Sequence, residues 1–359
     1  MTVLDRYIVR EFCKLFLIIM SSFVSLSLIV DFFGRIRMLL SNKATISLMF
    51  SYFFFKIPMI VSLTIPVTVL VTALILFGNL SRHNEIVAMK ANGISLYRTS
   101  LPVIVITGLI CILAFLFSEF ITPHTNRKAE YIRLVEIQKQ AEAGTFKQNQ
   151  IWYRGKQGIY NFKMFDPTNN IIRGITINYL NQNMDITTRI DAERAEWKDG
   201  GWVFYNLLVT SFENKGFPSF SRFATKVMPL PEKPSDFKAV QEDAEKMGYL
   251  ELKKYIHKIR EEGYDASRYL VDMHGKTAFP CVSLILAIIG ISFSLRSERS
   301  GGLTQSMGVG IVIGFSYWFV YAFSLSLGRS GTLPPFLSAW LANIIFAAVA
   351  GYLFLRVKT

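Results

Sequence analysis

The residues of this 359-residue chain that could do chemistry are few and scattered. Gly275-Lys276-Thr277 has the ending of a phosphate-binding loop, whose backbone amides and lysine cradle nucleotide phosphates. The glycine such a loop needs five residues before Gly275 is replaced by Leu270, and the triplet runs straight into an apolar segment, so no nucleotide site is read here. His83, His124, His257 and His274 lack the spacing of metal ligands. Neither a Gly-x-Ser-x-Gly elbow nor a His-Glu-x-x-His pair occurs. Cys13, Cys111 and Cys281 lie in or beside apolar stretches, so no disulfide framework is available. The sequence supports no catalytic set, no metal and no cofactor on this chain.

The polar groups make sense only against the elements that carry them. Six uncharged stretches, 15–30 (reaching 34 if Asp31 is tolerated), 57–81, 99–118, 277–295, 300–328 and 330–355, are of membrane-spanning length. They divide the chain into 1–118 with three spans, a polar block 119–275, and 276–359 with three more. Apart from Asp31 the spans hold almost no ionisable residue. That excludes intramembrane catalysis by paired acids and transport driven through buried carboxylates. Energy must enter from elsewhere.

Charge sets the expected orientation. Arg6, Arg10, Lys14, Arg82, Lys90, Arg98, Arg296, Arg299, Arg356 and Lys358 fall on the side of both termini; Arg35, Arg37, Lys43, Lys56 and Arg329 fall on the other. The excess predicts cytoplasmic termini and an external polar block. The 39 Lys and Arg against 26 Asp and Glu, net +13, are thus mostly a topology signal and argue against a nucleic-acid partner. No small-residue cleavage site follows Val30, so the first helix is read as retained.

Within the block, 119–140 reads as a helix continuing the third span, broken near Pro123. From 145 to 228 the period changes to two. Tyr160, Phe162 and Met164 alternate with Asn161 and Lys163; Ile175, Ile177 and Tyr179 alternate with Thr176 and Asn178. Turn clusters at 166–170 and 198–201 separate such runs, which predicts a sandwich, jelly roll or open barrel. A linker at 229–234 and an amphipathic helix over 250–262, stopped by Gly263, return the chain to the membrane. The fold class expected is therefore an α-helical membrane protein with six transmembrane helices and an external β domain, a sandwich, jelly roll or open barrel, inserted between helices 3 and 4.

The connection between the second and third spans, with a short helix over 81–92, is the candidate entry point for energy. Ser81 is the expected N-cap, Glu85 lies where the helix dipole favours an anion, and Gly93 is a natural stop. Ile86 and Met89 share a face, with Glu85 and Lys90 displayed. The segment is either a solvated connector or a coupling helix seated in a groove of a separate ATPase.

Asn84-Glu85-Ile86-Val87-Ala88-Met89-Lys90-Ala91-Asn92-Gly93 resembles the signature of the LptF/LptG permeases of the lipopolysaccharide-export ABC transporter. Leu4-Asp5-Arg6-Tyr7-Ile8 and Gly263-Tyr264-Asp265-Ala266-Ser267-Arg268-Tyr269 are more similar to the LptG branch than to the LptF branch, and the layout matches along essentially the whole chain.

The resemblance implies that the domain inserted between helices 3 and 4 is a periplasmic β-jellyroll-like domain, and that the chain is a non-catalytic permease subunit of the bacterial inner membrane, paired with an LptF-like subunit and driven by two copies of an LptB-like ATPase. It would pass lipopolysaccharide from the inner membrane to LptC- and LptA-like periplasmic proteins. Glu85 would meet a basic residue of the ATPase, with Arg82, Ile86 and Met89 beside it. Spans one and five would form a lateral gate, making Phe23, Leu26, Val30, Ile311, Phe315, Trp318 and Phe319 candidate cavity walls, or ordinary lipid-facing side chains. Arg35, Arg37 and Lys56 would meet head-group phosphates, since guanidinium offers paired donors; snorkelling rim charges are the alternative. Gly310-x-x-x-Gly314 would permit close helix approach. An ABC permease for another amphiphile (a lipoprotein or phospholipid) and a non-transporting membrane scaffold are the competing functions.

Overall fold

The computed structural model describes residues 2–139, 145–147, 150–154, 158–166, 170–181, 185–198, 200–212, 217–228, 230, 233–234, 244–261, 265–296 and 303–356. Residues 140, 167–169, 199, 229, 231–232, Gly263, Tyr264, Arg299 and Lys358, used in the reading above, lie outside them, as do the side chains of Met164 and Arg296. The chain divides into two compact units, Met1–Ile132 with Ala244–Thr359, and Arg133–Asp243. The division falls inside the expected polar block, because its flanking helices belong with the spans.

The first unit is helical: α1 Val3–Ser41, α2 Ile46–Arg82, α3 Glu85–Ala91, α4 Leu96–Phe120, α5 Thr122–Tyr131, α6 Tyr249–Glu261, α7 Ser267–Arg296, α8 Leu303–Arg329 and α9 Pro335–Leu355. Six of these are long and apolar enough to cross a membrane. The first span is longer than its apolar run. Thr2 and Asp5 form a capping box at one end, and the helix runs 39 residues to Ser41. At 1.5 Å per residue that is about 58 Å, roughly twice a hydrocarbon core. Asp31 therefore sits well inside α1. The sixth span starts at Pro335, a residue suited to a first helical turn, and not at Ser330.

Among the spans, α2 and α7 are the most enclosed. α2 packs on α1, α4, α7 and α8, and α7 on α4, α8 and α9. Several polar groups inside are satisfied from neighbouring helices, as hydrocarbon favours, whereas Thr107 Oγ1, Ser283 Oγ and Trp340 Nε1 are buried without a partner. Ser294 Oγ donates to the Leu74 carbonyl at 3.1 Å. Tyr317 donates to Asn343 Oδ1 at 2.8 Å, and Asn343 Nδ2 donates to the Ala278 carbonyl at 2.7 Å, joining α8, α9 and α7. Met247, Leu252, Ile256 and Ile259 of the α6 region bury themselves against Ala266, Tyr269 and Met273.

The second unit is an antiparallel sheet inserted between the third and fourth spans: β1 Thr145–Lys147, β2 Gln150–Arg154, β3 Gly158–Asp166, β4 Ile171–Leu180, β5 Ile186–Lys198, β6 Gly201–Ser211 and β7 Ser219–Met228. The strands lie in chain order, each hydrogen-bonded to the next. One face carries the core, including Tyr160, Phe162, Ile175, Ile177, Trp202 and Phe204.

Strict alternation fails along one row. The buried set steps from Phe162 to Phe165 in β3, from Ile172 to Ile175 in β4, from Ala192 to Ala195 in β5 and from Phe204 to Leu207 in β6. The register around each break places Lys163, Gly174, Glu193 and Asn206 side by side. Gly174 and Asn206 have positive φ, +59° and +50°. A glycine and an asparagine are the residues that tolerate this. The row is a crease across the sheet, and it makes Phe165 the buried partner of Tyr160 and Phe162 where alternation alone points to Met164.

Candidate functional site

At one end of the helical unit, α2 stops at Arg82 and the chain reverses through Asn84, which is left-handed with φ +56°. Ser81 lies in the last turn of α2, so the N-cap of α3 is Asn84 and not Ser81. The far end matches the sequence reading: Gly93 has φ +77°, and Ile94 N–H returns to the Met89 carbonyl at 3.0 Å.

The seven residues of α3 are fewer than an isolated helix needs in water. Tertiary contacts hold it. Ile86 is 2% exposed, in one cluster with Ile8, Phe12, Phe77, Leu80 and Leu96. Met89 Sδ accepts from Thr99 Oγ1 at 3.7 Å. The face shared by Ile86 and Met89 is thus turned into the chain's own core, because burying Ile86 is what stabilises so short a helix. Within α3, Val87, Ala88, Lys90 and Ala91 are exposed, as are Arg82, His83 and Asn84 just before it.

Glu85 is half-buried, and its Oε1 accepts from the Tyr7 hydroxyl at 3.3 Å. Two residues before Tyr7, Asp5 takes a two-pronged bond from Arg98, Nη1 to Oδ1 at 2.7 Å and Nη2 to Oδ2 at 3.0 Å. The start of α1 is thereby clamped to α4 beside α3. Tyr7, Asp5 and Arg98 were missing from the candidate set. Their signal was the opening Leu4-Asp5-Arg6-Tyr7-Ile8, legible as a motif but carrying no spacing that points to residue 85 or 98.

The three candidate phosphate-binding cations do not form one cluster. Asp31 sits between Arg35 (Nε, 3.0 Å) and Lys56 (Nζ, 2.5 Å). Both cations also lie over the Tyr52 ring, 5.7 and 5.6 Å from its centroid. Arg37, two residues on from Arg35, is exposed on another face of α1. Arg35 and Lys56 thus both bond the one carboxylate of Asp31, which offsets the cost of placing it within α1.

The candidate wall residues split. Leu26 and Val30 of α1 and Ile311, Phe315 and Phe319 of α8 are exposed, Phe315 by 75%. Phe23 is half-buried. Trp318 turns inward, with its ring edge-on to Phe279 at 5.7 Å. Gly310 and Gly314 seat α8 on α2 of the same chain. A Cβ at Gly310 would come 2.3 Å from Leu74 Cδ1, whereas one at Gly314 would lie 3.7 Å from Leu70. Among the described residues no group of His, Cys, Asp and Glu could hold a metal.

A family model described as "Lipopolysaccharide export system permease LptF/LptG" matches residues 6–356. The lipopolysaccharide export system permease protein LptG of Escherichia coli (strain K12) is 23% identical over 366 residues, covering 99% of this chain and 98% of that protein. The protein of the same name from Haemophilus influenzae (strain ATCC 51907 / DSM 11121 / KW20 / Rd) is 22% identical over 363 residues, covering 98% of each.

Proposed function

The chain belongs to the LptF/LptG family of lipopolysaccharide export permeases, and from that premise we propose how its parts share the work. It is a multi-pass inner-membrane permease subunit for lipopolysaccharide export. In the reading proposed here the termini and α3 face the cytoplasm and the sheet faces the periplasm. A second, LptF-like permease completes the cavity, an LptB-like ATPase dimer supplies energy, and LptC- and LptA-like proteins receive the lipid.

The observation that carries this reading is the docking of α3. A short helix fixed at Ile86 and Met89, steadied by Tyr7 on Glu85, moves only when α1, α2 and α4 move. A push on its exposed side is transmitted to the spans and not absorbed by a loose loop. The carboxylate of Glu85 presents charge to a basic residue of the ATPase. An exposed ion pair of this kind contributes only about 0–1 kcal/mol, so Glu85 sets register and transmits motion more than it supplies affinity.

The cargo explains the bare faces. Moving an acyl chain of about ten methylenes into water costs roughly 8 kcal/mol at ~0.8 kcal/mol per CH₂. Several chains therefore need a continuous apolar surface. The exposed side chains of α1 and α8, Leu26, Val30, Ile311, Phe315 and Phe319, supply one side of it against the second permease. Arg35 and Lys56 reach a head-group phosphate by exchanging Asp31 for it, while Arg37 is accessible throughout.

Co-purification with an LptB-like ATPase, followed by ATPase measurement with and without lipopolysaccharide, tests the reading. Glu85→Ala should keep the complex but lose lipid-stimulated turnover. Intact stimulation in Glu85→Ala, or an α3 reachable by impermeant cysteine reagents from the periplasm, would overturn it.

A further inference from the structure

Inside the helical unit lies a cavity of about 280 Å³ that none of the roles above uses. Its walls come from α2, α4, α5, α7 and α8 together with Ala244, and its lining leaves out the exposed residues of the candidate gate. Pro66 of α2 and Pro280 of α7 line it, so the two most enclosed spans each face it with a break in their hydrogen-bond ladder.

One polar atom in the wall is out of keeping with the rest of the bundle. Ser283 of α7 is fully buried, and its Oγ has no hydrogen-bond partner. The Cys111 thiol of α4 is a neighbour, but sulfur is a weak donor and a weak acceptor. A buried hydroxyl left unbonded costs about 1–3 kcal/mol. Inside a helix it escapes that cost by donating to the carbonyl four residues back, as Thr68, Ser100 and Ser292 do here. Ser283 does not, which leaves its donor for an occupant of the cavity.

The wall around Ser283 is aromatic. Phe279 lies one turn before it on α7, hence on the same face. The Phe279 ring meets Trp318 at 5.7 Å and Tyr321 at 5.8 Å, and those two meet edge-on at 6.2 Å. All three line the cavity and hold one another in place. The Asp272–Arg329 ion pair, closed at 2.6 Å, belongs to the other end of the lining. Asp272 precedes Ser283 by eleven residues, about 16 Å along α7.

Size and chemistry narrow the occupant. An engineered apolar cavity of about 150 Å³ takes benzene, so this one takes roughly two fused rings, far short of a multi-chain glycolipid. Aromatic walls favour a ring that can stack on them or meet them edge to face, and the orphan hydroxyl asks for an acceptor. We propose that the cavity binds a small uncharged aromatic molecule carrying one acceptor oxygen, with its rings among Phe279, Trp318 and Tyr321 and its oxygen on Ser283. The site is separate from the export path and complete in one subunit. An occupant between Pro66 and Pro280 would hold α2 and α7 at one angle.

The test uses the full chain in a nonionic detergent, with 2-naphthol as the probe and naphthalene as the same pair of rings without the oxygen. Binding is read by equilibrium dialysis as the excess over protein-free micelles, so each compound is corrected for its own partition into detergent. Naphthol should saturate at one per chain and bind about tenfold more tightly than naphthalene. Ser283→Ala should bring that ratio to about one while naphthalene still binds, and Ser118→Phe, which fills the cavity, should abolish saturable binding of both. Non-saturable uptake of naphthol by the native chain, as for a cavity that takes only water, would overturn the proposal. So would equal affinity for the two compounds, or a preference for naphthol that survives Ser283→Ala. The comparison on the native chain needs no variant to fold. Lipopolysaccharide plays no part in the assay, so its outcome is independent of the export reading.

Discussion

Ile86→Ala isolates what holds the coupling helix. Truncating a fully buried isoleucine costs about 2–5 kcal/mol, and α3 has little else to hold it. Of its other anchors, the Met89–Thr99 contact is a weak sulfur acceptor at 3.7 Å, and the Tyr7–Glu85 bond is long at 3.3 Å. Taking about 2–3 kcal/mol for a site at the rim of the bundle, where neighbours can close in, the undocked population rises roughly 30- to 150-fold at 1.4 kcal/mol per decade. Amide exchange of residues 86–91 should accelerate by that factor while the amides of α7 keep their protection. Val87→Ala is the control. Val87 is 55% exposed, and truncation there should leave exchange unchanged within about threefold, at ±0.5 kcal/mol. Lipid-stimulated ATPase should fall with Ile86→Ala even though residue 86 touches no partner. If exchange in α3 is unaltered by Ile86→Ala, Ile86 is not the anchor. If Val87→Ala loosens the helix as much, the inward and outward faces have been assigned the wrong way round.

Asp31→Asn should release Arg35 and Lys56 and strengthen photocrosslinking of lipopolysaccharide phosphate to the start of α2; an unchanged yield would show that the carboxylate does not compete. Gly310→Val should lower the melting temperature in detergent, since overpacking costs about 1–3 kcal/mol, and Leu74→Ala should recover part of the loss; a normal melt would contradict the 2.3 Å approach. In the sheet, burial raises the pKa of Asp191, but hydrogen bonds from Arg189 and Thr176 outweigh it and hold the carboxyl below its ordinary value. Because its folded pKa is the lower one, the unfolded chain binds more protons in acid, so the contribution is present at neutral pH and lost as pH falls below about 4. Amide protection of β4 and β5 should drop over that window, and Asp191→Asn should flatten the drop.

Runs of apolar residues and basic flanks made the six spans and the insertion point legible, because both follow from transfer free energy alone. Gly93 was legible for the same local reason: few residues other than glycine accept its φ. What stayed hidden depends on where a side chain meets a distant one. Asp31 reads as the end of a span until Lys56, from another helix, is known to lie 2.5 Å away. Ile86 and Met89 share a face in the sequence, but the sequence does not say that Leu96 and Thr99 fold back over them. Trp318 shares the composition of its neighbours on α8, and its inward turn shows only in its ring contacts with Phe279 of α7 and Tyr321. The step in the sheet leaves a trace in β4, the glycine at 174, but β3 shows plain alternation through Met164.

The crease divides each of the central strands into two halves whose inward sets are out of step by one. A residue inserted or removed within a strand would put that half out of phase with both neighbouring strands at once, so the spacing from the row at Lys163, Gly174, Glu193 and Asn206 to the buried side chains is fixed. Length changes are confined to the turns beyond the strand ends. Homologous sheets should therefore differ in hairpin length while keeping a three-residue step between successive buried positions across that row.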